Sequence, residues 1–95
     1  MEIQHIGVIG AGQMGNGIAQ VAACAGFQVS MIDIKQEYLD RAMNNIQKSL
    51  EKLVSKDRLS QSESLNAISR INFSTSMDDV SDADLVIEAV PEILE

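Results

Sequence analysis

Cysteine, histidine and proline each occur once in this chain, and each scarcity excludes something. A single cysteine rules out an internal disulfide. Cys24 falls in an apolar stretch, where a small buried residue is the expectation and a reactive thiol is not. The single histidine, His5, stands at the entry to a predicted strand with no second ligand at metal-binding spacing, so it reads as a surface or capping residue and no metal site is expected. Basic residues are also few. Seven Lys and Arg against fourteen Asp and Glu give a formal net charge of −7, which argues against nucleic acid or an anionic membrane surface as the main partner. No apolar run approaches the length of a membrane span, and Met1 to His5 lack the basic and apolar segments of a secretory signal. The expectation is a cytoplasmic protein of one small domain.

The best-defined stretch is IGVIGAGQMG, Ile6 to Gly15. Ile6, Val8 and Ile9 suit a strand buried on both faces, which gives a near-continuous apolar run. Gly10, Gly12 and Gly15 follow in G-x-G-x-x-G spacing. Gly10 would permit the sharp turn out of the strand, Gly12 the approach of a pyrophosphate to bare backbone, and Gly15 close packing of helix on strand. A helix then runs through Met14, Ile18, Val21, Ala22 and Ala25, with Gly26 placed to end it. Its unpaired N–H groups, with Ala11, Gln13 and Met14 around the turn, face the position of a diphosphate. A second β-rich run, Phe27 to Ile32, closes on Asp33, about 20 residues beyond the glycines, where an acid accepts hydrogen bonds from an adenosine ribose. Strand, glycines, helix, strand and acid in this order point to dinucleotide binding. Asp33 would repel a 2′-phosphate, which favours NAD over NADP, while Lys35 could soften that repulsion.

Beyond Asp33, apolar residues recur at helical steps from about Gln36 to Ser55, with Glu37, Asp40, Arg41, Lys48, Glu51 and Lys52 on a face expected to meet solvent. Ser60 and Glu63 form a capping-box pattern for a second helix to about Arg70. Two helices exceed what a minimal crossover needs, so this hairpin is expected to project from the sheet. Ile71 to Ser74 reads as a third strand, Ser76 to Asp82 as a polar helical turn, and Leu85 to Val90 as a fourth strand, with Pro91 barring simple continuation. The predicted architecture is α/β: the first half of a Rossmann-type doubly wound parallel sheet, order 3-2-1-4, with a helical hairpin between strands 2 and 3. The fourth strand would be an uncovered edge, which predicts association into a homo-oligomer.

GAGQMGNGIAQ, the Asp33 position, the hairpin and DADLVIEAVPE together resemble the N-terminal part of 3-hydroxyacyl-CoA dehydrogenases, particularly the bacterial 3-hydroxybutyryl-CoA dehydrogenases. The resemblance spans essentially all 95 residues. It implies hydride transfer between NAD and the 3-hydroxyl of an acyl-CoA, in fatty-acid or butyrate metabolism. It also implies that Gly10 to Gly15 hold the diphosphate and Asp33 the ribose, that Ala89, Val90 and Pro91 line the ribose beside Glu92, and that Ser49 and Lys56 contact CoA. From the residues alone, Ser49 and Lys56 would be solvated helix surface. The family's catalytic residues match no position here, so no catalytic residue is assigned, and the 95 residues by themselves are expected to be inactive. Two alternatives stay open: a β-hydroxyacid dehydrogenase of the 6-phosphogluconate or 3-hydroxyisobutyrate kind, against which the hairpin argues, and a non-catalytic NAD-sensing module.

Overall fold

Four short parallel strands frame the molecule in a computed structural model that describes residues 2–89. They are β1 (His5–Ile9), β2 (Gln28–Ile32), β3 (Ile71–Ser74) and β4 (Leu85–Glu88), in the order β3-β2-β1-β4. Val8 stands opposite both Met31 and Ile87, and Met31 opposite Phe73, so one register aligns the carboxyl ends of the strands. This is the predicted doubly wound order, with its switch at the end of β1. β4 stops two residues short of the expected Val90. The N–H of Ala89 still donates to the Ile9 carbonyl at 2.8 Å. Val90, Pro91 and Glu92 lie outside the described residues.

Three helices complete the unit: α1 (Gln13–Cys24), α2 (Gln36–Ser55) and α3 (Gln61–Ser69), with a 3-10 turn at Met77–Val80. Their ends follow from local chemistry. α1 closes where Gly26 takes φ 101°, a left-handed conformation that favours glycine, so that the Gly26 and Phe27 N–H groups donate to Ala23 and Ala22 carbonyls. α2 closes in the same way at Asp57, φ 57°, and the Asp57 and Arg58 N–H groups donate to Val54 and Leu53. Ser60 and Glu63 form the predicted capping box at 3.1 and 3.0 Å.

Side chains alternate between the faces of each strand, and the two faces are covered unequally. Ile6, Val8, Val29 and Met31 join Leu39, Ala42, Ile46 and Leu50 of α2 and Ala67 of α3 in one core. On the opposite face a Cβ on Gly7 would lie 2.7 Å from Val80, so the 3-10 turn lies directly on that glycine. On that same face His5 Nε2 and Ser30 Oγ are 2.8 Å apart. Asp84 ties β4 to the start of β1, accepting from the Gln4 and His5 N–H groups at 2.9 and 3.0 Å. Those two bonds hold its carboxyl below its ordinary pKa.

Two expectations need correction, for the hairpin and for Cys24, and the packing of α1 adds a third finding. The hairpin is drawn onto the sheet more than expected: the buried stripe of α2 belongs to the main core, while the outer face of α2 and the turn at Lys56 to Arg58 are exposed. The stripe by which α1 meets the sheet is Gly15, Ala19, Ala22 and Ala23, small residues that allow close approach. Met14 and Val21 are consequently displaced to an exposed flank. Cys24 is exposed rather than buried, because Ala22 and Ala23 already occupy the inward positions. Partial desolvation pushes its thiol above the ordinary value, which leaves little thiolate at neutral pH.

Candidate functional site

A cleft of about 1030 Å³ opens at the carboxyl ends of the strands, where open α/β sheets bind ligands. Its floor is the turn out of β1. Gly10 adopts φ 108°, which favours glycine, and its N–H donates to the Ile32 carbonyl at 2.8 Å, fastening the turn to the end of β2. A Cβ on Gly15 would stand 2.0 Å from the Gly10 carbonyl oxygen, so only glycine lets the helix begin this close to the turn. A Cβ on Gly12 would meet nothing within 4 Å and would project into open space. Gly10 and Gly15 thus have the turn and packing roles expected of them, and Gly12 leaves the open space that its expected role requires.

Gly12 is also the N-cap of α1 and supplies no side-chain acceptor, and no acid lies in the first turn. The first intrahelical bond there runs from the Asn16 N–H to the Gly12 carbonyl at 2.9 Å. The N–H groups of Gln13, Met14 and Gly15 precede that bond and remain donors for an anion, reinforced by the positive end of the helix dipole. Met14 contributes through its backbone, since its side chain lies outside the cleft on the other flank of α1. Asn16 lines the cleft, and its Oδ1 is buried without a hydrogen-bond partner among the described residues.

Asp33 crosses the gap between the two strand ends. Its Oδ2 accepts from the Ala11 N–H at 2.9 Å and its Oδ1 from the Lys35 N–H at 3.3 Å, fixing the carboxylate at the cleft edge. The turn and the acid, 22 residues apart at Ala11 and Asp33, thus form one unit. A dinucleotide fits this arrangement: bare backbone and helix N–H groups for the diphosphate, and a held carboxylate for a ribose.

The opposite wall is a stripe of α2, where Tyr38, Arg41, Asn45 and Ser49 follow one another at helical steps. Ser49 was expected to bind, and the cleft includes it. Arg41 was expected to face solvent, and the cleft includes it too. Each member directly precedes a buried residue of the same helix, namely Leu39, Ala42, Ile46 and Leu50. That pattern was the available signal. Lys56 is the exposed C-cap of α2 and does not line the cleft, although a cation at a helix C-terminus is favourably placed. Ala89 is buried beside β1 and likewise does not line the cleft. Among the described residues no group of three or more candidate metal ligands occurs.

Residues 5–95 match the family model described as "3-hydroxyacyl-CoA dehydrogenase, NAD binding domain". The chain belongs to that family. A Deinococcus radiodurans relative named "Probable 3-hydroxybutyryl-CoA dehydrogenase" is 54% identical over 86 residues, which are 90% of this chain and 31% of the relative. The solved 3-hydroxybutyryl-CoA dehydrogenase of Escherichia coli K12 is 39% identical with a TM-score of 0.94, over 98% of this chain and 20% of that one. The solved (S)-3-hydroxybutyryl-CoA dehydrogenase of Ralstonia eutropha is 40% identical with a TM-score of 0.94, over 98% and 33%. This NAD-binding domain therefore spans about a third of the length of the curated relatives it matches. No helix among its described residues is long and apolar enough to cross a membrane.

Proposed function

We propose that the protein carrying this domain transfers a hydride between NAD and a 3-hydroxyacyl-CoA of the 3-hydroxybutyryl type, in fatty-acid or butyrate metabolism. The observation that carries this reading is the pairing within one cleft of a glycine turn, locked to Asp33, with a polar stripe of α2 that includes Ser49. The first half holds the dinucleotide. The second provides the wall along which a CoA would lie, with Lys56 two turns beyond Ser49 as a point charge for a CoA phosphate. In this reading Val90, Pro91 and Glu92 complete the ribose side, following directly on the buried Ala89. Bound NAD supplies the hydride acceptor, and the domain's own residues bind and orient it.

The test uses the full-length protein. Lys56→Glu is expected to raise the KM for acyl-CoA and leave NAD binding nearly unchanged, and an unchanged KM returns Lys56 to solvated surface. Absence of turnover of any 3-hydroxyacyl-CoA by the wild type would contradict the reading as a whole.

Association into a homo-oligomer belongs to the same proposal. Leu85 and Val86 of the edge strand β4 are 42% and 45% exposed, and such an edge is a template for further pairing. Light scattering across a dilution series should give a mass above 10.3 kDa for this chain. A monomer at every concentration would contradict it. A cytoplasmic location fits the exposed free thiol of Cys24, which suits a reducing compartment, and cell fractionation tests it.

A further inference from the structure

The cleft contains one acidic and one basic side chain among its lining residues, Asp33 and Arg41, and the reading above gives Arg41 no individual role beyond its place in the α2 wall. Long side chains on a helix reach back toward its N-terminus. Arg41 does so, with its guanidinium 5.9 Å from the centre of the Tyr38 ring in the first turn of α2. The Lys35 ammonium is 5.3 Å from the same ring, and the Lys35 N–H donates to Asp33. Lys35 and Arg41 thus both stand by the Tyr38 ring in the first turn of α2, the end of that helix which follows Asp33, and Arg41 shares the cleft lining with Asp33. Ile34, beside Asp33, is 86% exposed and lines that corner, an apolar surface on which a flat base can rest. The Tyr38 ring supports the guanidinium by a cation–π contact and limits its freedom, so its donor fork is partly organised in advance.

We propose that Arg41 sets how strictly this cleft discriminates between the two dinucleotides. Asp33 repels a 2′-phosphate, and Arg41 attracts the same group from the neighbouring turn of α2. NADH is preferred because the carboxylate is fixed by two backbone N–H groups. The preference is modest because a guanidinium on an aromatic support offsets part of the repulsion, and bidentate phosphate recognition is what that group does best. Discrimination is then a property of the Asp33–Arg41 pair. The inference rests on the cleft being a dinucleotide site.

The measurement is a calorimetric titration of NADH and of NADPH onto the protein, wild type, Arg41→Leu and Arg41→Lys, with thermal unfolding to establish that each variant is folded. Arg41→Leu is expected to lower the ratio of NADPH to NADH affinity about tenfold, and Arg41→Lys, which keeps the charge but not the planar donor fork, to lower it by a smaller factor. An equal loss for both dinucleotides would make Arg41 a general contact, and no loss for either would make it a solvated side chain. Both outcomes overturn the inference and leave the dinucleotide site standing. Binding of neither dinucleotide by the wild type would overturn the site itself, and the inference with it.

Discussion

Gly12 and Gly15 stand three residues apart in the same turn, yet the space around them is opposite in kind. A methyl group at Gly15 would collide with backbone, while one at Gly12 would enter the empty cleft. Gly12 has φ −78° and ψ −168°, which any residue adopts, so nothing in the fold itself demands glycine there. The motif therefore carries two separable demands. Gly15 serves the packing of α1 on the turn, and Gly12 leaves the space that the proposed dinucleotide would use. A spacing pattern cannot separate these roles, because both positions read only as glycine.

The largest expected effect tests the packing side of this contrast. Gly15→Ala should cost more than about 3 kcal/mol, because a Cβ 2.0 Å from a carbonyl oxygen forces the helix start away from the turn. Thermal or denaturant unfolding measures it. A variant as stable as wild type would mean that α1 does not sit this close.

Asp33 lies between the two demands, since it fastens the turn and borders the cleft. Asp33→Ala should cost about 1–3 kcal/mol by leaving the half-buried Ala11 N–H without its acceptor, and should also weaken NADH. Asp33→Asn retains an acceptor for that N–H and should recover much of the stability but not the preference for NADH. Equal stability of the two variants would separate Asp33 from the turn.

Away from the cleft the effects are smaller and purely structural. Ser60→Ala should cost about 1 kcal/mol by removing the α3 cap, with no change in ligand affinity. The smallest effect is a pH dependence. Hydrogen bonds from Gln4 and His5 depress the pKa of Asp84, and those of Ser60 depress that of Glu63. A depressed folded-state pKa means stability that is complete above the ordinary carboxylate range and is lost as pH falls through the folded value. Acid unfolding should therefore begin below about pH 4, and Asp84→Asn should flatten its dependence on pH. An unaltered acid transition in that variant would remove Asp84 from the account.

The strands, the helix end at Gly26, the capping box and the sheet order were legible because each rests on local chemistry or on a handedness rule, whereas the left-handed end at Asp57 was not, since no glycine marks it. The depth of α1 was not. A sequence containing Met14, Ile18 and Val21 invites those large residues into the core, whereas the fully buried stripe is Gly15, Ala19, Ala22 and Ala23, Ile18 packs at its edge, and Met14 and Val21 are exposed. Arg41 was missed for a related reason. The stripe of Tyr38, Arg41, Asn45 and Ser49 flanks the buried stripe of α2 on one side, and periodicity states that a flank exists but not which flank looks over the strand ends. Only the placement of α2 against β2 and β3 decides that. Likewise, the extra length of the hairpin suggested projection, but Leu39, Ala42, Ile46 and Leu50 draw it onto the sheet.

The most direct test of the division between fold and ligand is Gly12→Ala, measured twice. Unfolding should show a stability equal to wild type or higher by about 0.4–1 kcal/mol, since alanine loses less chain entropy on folding at a φ it readily adopts. Titration with NADH should show affinity lower by about tenfold or more, because the added methyl group occupies the place where backbone must approach the diphosphate. Unchanged NADH affinity in a folded Gly12→Ala protein would contradict the assignment of this cleft.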